Sequence, residues 1–244
     1  MARSFLLVLV LGGLVFFSGR WRAHSRAPWT PIAPGVEMRT FHAGQGGVPS
    51  QSGVAVVALR TAPARVHVAT GASLNAEEWR HRTAALAAVN GGFFDEAGRS
   101  LGLRIARGRR ITRLHGTNWG VFSVRNGRAA IVRTRDFKMR SGIREAVQCG
   151  PLLVLAGRRM DLKPQWARRT GIGIQRDGRV IVAVTDGSLS FKDWAALWAA
   201  RDGLNCRDAL NLDGGSSTQL ALKTRERSLD ISAGREVPDA VIIK

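Results

Sequence analysis

The stretch Ala209-Leu210-Asn211-Leu212-Asp213-Gly214-Gly215-Ser216-Ser217-Thr218 runs an apolar segment into a carboxylate, two glycines and three hydroxyls. The four residues before Asp213 have strand character, so a sheet would hold the carboxylate at a fixed place. Gly214 and Gly215 carry no side chain that would keep a ligand from the backbone. Ser216, Ser217 and Thr218 add hydroxyls and amides, a surface suited to an anion or a sugar. Taken alone, these residues are better described as a strand, a tight turn and another strand. A parallel lies upstream: Ala87-Ala88-Val89-Asn90-Gly91-Gly92-Phe93-Phe94-Asp95 is again an apolar strand, a polar residue and two glycines. Asn90 offers both a donor and an acceptor, fit for a sugar hydroxyl or a phosphate oxygen.

Around these two stretches the chain reads mainly as strands. Val54–Leu59 and Arg65–Ala69 flank a turn at Thr61–Ala64. Trp119–Val124 and Ala129–Val132 flank Arg125-Asn126-Gly127-Arg128, and Thr170–Ile174 and Val180–Val184 flank Arg176-Asp177-Gly178-Arg179. Asn-Gly and Asp-Gly suit turns that need positive φ, so both pairs are expected as hairpins. Cys149–Leu155 is a further strand candidate. Asn75 with Glu78 has capping-box spacing for a helix reaching about Ala87. Ser190 and Asp193 open a second helix, with Phe191, Trp194, Leu197 and Trp198 on one face and Gly203 as its stop. The expected fold class is α+β: a single domain, mostly antiparallel sheet with hairpins and a few packed helices.

With 244 residues and 45% hydrophobic content, the chain can bury a full core. Its net charge is +19, and the basic residues are almost all arginine, scattered in ones and twos without a long basic run. That pattern fits either coding bias with solubility or a basic face for anions. The missing basic runs argue against a nucleic-acid partner. At the amino terminus Arg3 precedes an apolar run from Phe5 to Phe17, and Arg20, Arg22 and Arg26 follow. Thirteen apolar residues suit the core of a signal peptide better than a full membrane span of about 20. Residues 1–20 are therefore expected as a signal peptide or an amino-terminal anchor, the only contact with membrane. Residues 21–35 then form a linker and 36–244 the folded domain, exported to the periplasm or outside the cell. Cys149 and Cys206 would form one disulfide in that compartment, or remain two buried thiols. No CxxC spacing suggests structural zinc.

Four stretches suit a common site: Asn90–Asp95, Cys149-Gly150-Pro151, Arg169–Gly173 and Asp213–Thr218. In this order they resemble the phosphodiester glycosidase family, in particular its bacterial exported members, over nearly everything after the linker. The resemblance implies a hydrolase that cuts the C1–O bond of a sugar-1-phosphodiester, in an envelope or exopolysaccharide glycan. It makes Asp213 the first catalytic candidate, activating water or stabilising an oxocarbenium-like centre, with Asp95 or Asp186 as a second carboxylate. Arg169 would grip the anionic phosphate in a bidentate manner. Thr170, Asn90, Gly91 and Gly92, with the amides and hydroxyls of Gly214, Gly215, Ser216 and Ser217, would complete the substrate surface. No cofactor is required by this chemistry, and a divalent cation could sit at Asp213 or Asp95. In the family the glycine run after the aspartate is often three long; here the third position is Ser216. The competing expectation is a non-catalytic glycan-binding or polysaccharide-assembly protein that keeps the same pocket.

Overall fold

Both expected hairpin turns form, and they set which strands lie side by side. In the computed structural model, which describes residues 28–42, 44–49, 52–232 and 235–244, Asn126 and Gly127 both take positive φ, at 49° and 72°. In the second hairpin the left-handed residue is Gly178, at 86°. Three main antiparallel sheets follow. An eight-stranded sheet runs in the order β1 (Thr30–Ala33), β2 (Val36–Phe41), β3 (Val56–Thr61), β15 (Val180–Thr185), β14 (Thr170–Gln175), β17 (Cys206–Asn211), β11 (Leu152–Leu155), β12 (Arg158–Arg159). A five-stranded sheet holds β7 (Arg109–Thr112), β6 (Arg104–Ala106), β10 (Ile143–Cys149), β8 (Gly120–Arg125) and β9 (Arg128–Arg133). The other five-stranded sheet is ordered β19 (Ser228–Ile231), β18 (Leu220–Lys223), β5 (Ala87–Asn90), β20 (Val237–Ile243), β4 (Val66–Leu74). A short pair, β13 (Trp166–Ala167) with β16 (Leu189–Ser190), stands apart. Among the described residues there are two α-helices, α1 (Ala76–Arg82) and α2 (Phe191–Ala199). The α+β expectation is thus right in outline, with sheet far outweighing helix.

The layering follows from which faces are apolar. Val180, Val182 and Val184 of β15 join a cluster that also takes Val89, Leu220, Leu222, Val241 and Phe122, filling the space between the sheets. Ile181 and Ala183, pointing the other way, pack under α2 with Trp194, Leu197 and Trp198. Burial on both faces explains the unbroken apolar run of that strand. Gly171 and Gly173 of β14 serve this packing. A Cβ on Gly171 would lie 2.8 Å from a ring carbon of Trp198, and one on Gly173 would lie 2.6 Å from another. These glycines admit two indoles against the sheet and do not face a ligand. On the opposite side α1 seats Trp79 among Ala69, Ala88, Ala240 and Ile242.

Several expectations are corrected. The capping box of α1 forms, with Asn75 Oδ1 accepting from Glu78 N at 3.0 Å and Glu78 Oε2 from Asn75 N at 2.9 Å. The helix stops at Arg82 rather than near Ala87, because Ala84 turns left-handed (φ 49°) and Leu86 N already donates to Ile243 O. The two strands around Thr61–Ala64 do not pair with each other; the turn carries the chain from one sheet to another. Thr30–Ala33, expected within a linker, is a strand paired with β2. Cys149 and Cys206 are free and buried, and they sit in different apolar clusters, so the disulfide does not form. Desolvation pushes the Cys149 thiol up to about 12 and the Cys206 thiol well above its usual value. The expected signal or anchor, residues 1–20, lies outside the described residues. Among the described ones no helix is long and apolar enough to cross a membrane.

Candidate active site

Three of the sequence stretches meet where β5, β14 and β17 end. Asp213 N donates to Gly91 O at 3.0 Å, and Asn90 Nδ2 donates to Asp213 O at 2.8 Å. Thr170 Oγ1 donates to Asn90 Oδ1 at 2.7 Å, which also accepts from Gln219 N at 3.2 Å. Leu212 N reaches Thr170 O, and Gly215 N reaches Arg168 O, both at 2.9 Å. Asn90 and Thr170 are completely buried. They form a latch that fixes the Asp213 backbone.

Asp213 itself is partly buried, and Oδ1 accepts from Gly214 N at 2.9 Å. Burial holds its carboxyl above the usual range; the Ser217 hydroxyl and the Gly214 amide oppose that, the Asp239 charge adds to it, and Arg235 opposes it. Asp239 lies deeper. Its Oδ1 accepts from Gly92 N at 2.9 Å, its Oδ2 from Ser100 Oγ at 2.5 Å, and Arg104 Nε lies 2.9 Å from Oδ2. Both side chains of the Asp239–Arg104 pair have no solvent exposure. Arg104 also donates from Nη1 to Gln148 O at 2.9 Å and from Nη2 to Phe93 O at 3.1 Å. This pair explains the upstream glycines. A Cβ on Gly91 would collide with the Asp239 carboxylate, and one on Gly92 with the Arg104 guanidinium. Gly91 and Gly92 thus make room for a buried ion pair that supports the aspartate loop.

Beside this loop lies a cavity of about 390 Å³ lined by Phe93, Trp119, Pro151, Arg169, Phe191 and Gly214, among others. Phe93 and Trp119 meet edge to face with centroids 5.0 Å apart. Arg169 stacks 3.5 Å over the Phe191 ring. Its Nε donates to Leu189 O at 3.1 Å and its Nη2 to Gln165 O. The Nε–Nη2 edge of the guanidinium is therefore occupied by backbone carbonyls, so any grip on phosphate falls to the Nη1 end; Nη1 makes no hydrogen bond to a described residue. Burial lowers the Arg169 pKa to about 10, which leaves it charged at neutral pH. Gly215 also lines the cavity, Ser216 is exposed beside it, and Ser217 is buried against Asp213. On the far side Arg235, which faces Asp213 electrostatically, lines an open cleft of about 780 Å³ with Phe94.

The other expected carboxylates are engaged elsewhere. Asp95 closes its own turn, accepting from Ala97 N and Arg99 N and pairing with Arg99 at 2.8 Å. The Arg99 amide hydrogen bond leads in holding its carboxyl below the usual range. Asp186 is exposed and holds Ala55 N at 2.8 Å, a loop tie. The second carboxylate of the site is Asp239, which the sequence reading missed. Its only signal is a charge inside the apolar strand Val237–Ile243, as Arg104 is inside Leu103-Arg104-Ile105. Among the described residues no cluster of three or more His, Cys, Asp and Glu could hold a metal ion.

The fold is thus a β-rich domain whose aspartate loop is latched to an Asn-Gly-Gly turn beside an arginine-bearing cavity. The phosphodiester glycosidase family model matches residues 83–244, and the chain belongs to this family of hydrolases. An uncharacterised protein of Escherichia coli K12, YigE, is 33% identical over 140 residues, covering 52% of this chain and 54% of its own. The match thus spans about half the length of that relative. Among solved structures, the catalytic domain of zebrafish N-acetylglucosamine-1-phosphodiester alpha-N-acetylglucosaminidase, auto-inhibited by its pro-peptide, superimposes with a TM-score of 0.70. Its identity is 18%, and the match covers 89% of this chain and 86% of that one. A putative exported protein of Burkholderia pseudomallei K96243 matches with TM-score 0.58 and 15% identity, over 82% of this chain and 75% of that one. At these identities the two structures establish a shared fold.

Proposed function

We propose that this protein is an exported hydrolase that cleaves the C1–O bond of a sugar-1-phosphodiester in an envelope or exopolysaccharide glycan. The observation that carries the proposal is Asp213: a partly buried carboxylate of raised pKa, fixed at a strand end by the Asn90–Thr170 latch, beside a cavity with a buried cation. In this reading the ionised Asp213 takes a proton from water as the water oxygen bonds to C1. The C1–O bond breaks with its electron pair leaving on the phosphate-ester oxygen. A phosphate monoester needs little protonation to depart, so one acid–base residue suffices. Arg169 Nη1 and Arg235 supply positive charge on either side, and Phe93 and Trp119 offer an aromatic wall to a sugar face. The chemistry draws on no cofactor from the protein.

The test is hydrolysis by the purified domain of sugar-1-phosphodiesters against the matching ordinary glycosides, with and without chelator. Asp213→Asn should lower kcat by about 10²–10⁴-fold, the usual contribution of a general acid–base group, while ligand binding persists. Binding without turnover in either protein would instead identify a glycan-binding or polysaccharide-assembly protein. Arg169→Lys should weaken turnover on phosphodiesters while leaving the fold intact, because lysine cannot hold both carbonyls and reach the cavity.

A further inference from the structure

A second concave site lies at the other end of β20. It has a volume of about 430 Å³ and is bounded by His67, Trp79, Arg82, Arg107, Arg144 and Lys244, among others. The side chains of Arg82, Arg107, Arg144 and Lys244 make no ion pair or hydrogen bond to any described residue. Elsewhere arginines of this chain do find carboxylates, as Arg60 does with Glu37 and Arg179 with Asp177.

What separates this pocket from diffuse surface charge is the device beneath it. Glu145, only 2% exposed, ties three elements together. Its Oε2 accepts from Val68 N of β4 at 2.9 Å, and its Oε1 accepts from Arg107 N of the β6–β7 turn at 3.3 Å and lies 3.2 Å from His67 Nδ1. Gly108 N donates to Arg144 O at 2.7 Å. Arg107 is thereby held in a left-handed conformation, φ 52°, next to Arg144 on β10. A buried carboxylate thus fixes the backbones of the residues whose cations rim the pocket. Four positive side chains line a cavity of the size of a small ligand, and among the described residues none of them is ion-paired. Lys244 follows Asp239 by five strand residues, roughly 17 Å at the rise of a β-strand, so this pocket is separate from the Asp213 cleft.

We infer that this pocket is a second anion site, which binds the phosphate group of a phosphorylated saccharide. The saccharide part of that inference rests on the glycan reading of the Asp213 site; the phosphate part rests on the pocket alone. Guanidinium groups hold phosphate oxygens through paired N–H donors, and the held backbones of Arg107 and Arg144 bring two such side chains to adjacent strand positions. A site of this kind would hold one phosphorylated unit of a chain while another occupies the Asp213 cleft.

Calorimetry with the full chain tests it, using glucose 6-phosphate, inorganic phosphate and glucose as probes at low ionic strength. Glucose 6-phosphate should bind with one-to-one stoichiometry. The double variant Arg107→Gln/Arg144→Gln should weaken it at least tenfold. Arg128→Gln/Arg140→Gln on another basic surface should leave it within twofold. Equal weakening by the distant pair would overturn the site in favour of diffuse charge, and so would absence of one-to-one binding. Tighter binding of glucose 6-phosphate than of inorganic phosphate supports a saccharide ligand, and equal binding removes that part. Sugar-1-phosphodiester hydrolysis is read separately, so loss of the hydrolase proposal leaves this result standing.

Discussion

Replacing Asp239 by asparagine should reveal how the buried ion pair supports the candidate active site. Asn keeps an oxygen for Gly92 N, and the Ser100 hydroxyl can rotate to suit the amide. What cannot adapt is Arg104, whose side chain is wholly buried and loses its only ion-pair partner among the described residues. Breaking a buried pair by removing one member costs about 3–5 kcal/mol, because the remaining charge is uncompensated. Arg104 retains carbonyl acceptors at Gln148 and Phe93, which places the expected loss near the low end, about 3 kcal/mol. For a domain of this size that is a fall in Tm of roughly 6–12 °C. The same substitution removes a charge that raises the Asp213 pKa and leaves a bare guanidinium nearby, so the Asp213 carboxyl should titrate at lower pH. Urea denaturation measures the first effect, and the ¹³C shift of the Asp213 carboxyl followed with pH measures the second. Adding Arg104→Met to the Asp239→Asn variant should recover part of the stability. A loss below about 1 kcal/mol, or an Asp213 pKa that stays or rises, would refute the reasoning.

Other outcomes follow from the same geometry. Asp213→Asn, which lowers turnover, should nevertheless raise Tm at neutral pH, because burial penalises the ionised form. The sign follows from linkage: a folded pKa above the unfolded value favours folding in acid and loses that benefit as pH rises through the folded pKa, so the gain over wild type should vanish in acid. Gly173→Ala should destabilise by about 1–3 kcal/mol through overlap with Trp198, read by denaturation, with the cleft unaltered. Thiol titration should find two free thiols in the unfolded, unreduced protein and almost no reaction in the native one, given the burial of Cys149 and Cys206.

The Asp239 test matters because the two carboxylates have different tasks. In the proposed reading Asp213, only partly buried, meets substrate, whereas Asp239 is enclosed and supports the Gly91–Gly92 turn. Burial is the first cause of the raised Asp213 pKa, and the enclosed Asp239 charge adds to it from within the fold.

Local chemistry alone settled a good part of this protein. The Asn126-Gly127 and Asp177-Gly178 turns, the Asn75–Glu78 cap and the Ser190 cap depend on residues within a few positions of each other, so their signals are complete in the sequence. The Asp213-Gly214-Gly215 and Asn90-Gly91-Gly92 stretches were legible as strand ends belonging to one site, and they do meet. Their roles were not legible. That Asn90 and Thr170 form a latch, that Gly171 and Gly173 admit tryptophans, and that Arg169 spends its Nε donor on the Leu189 carbonyl depends on partners distant in the chain. Asp239 and Arg104 look like accidents within apolar strands until the sheets bring them to 2.9 Å. Asp95 and Asp186 look available until their own loops claim them. A side chain's identity states which bonds it can make; which it does make is fixed only when packing decides its neighbours and removes water from the rest.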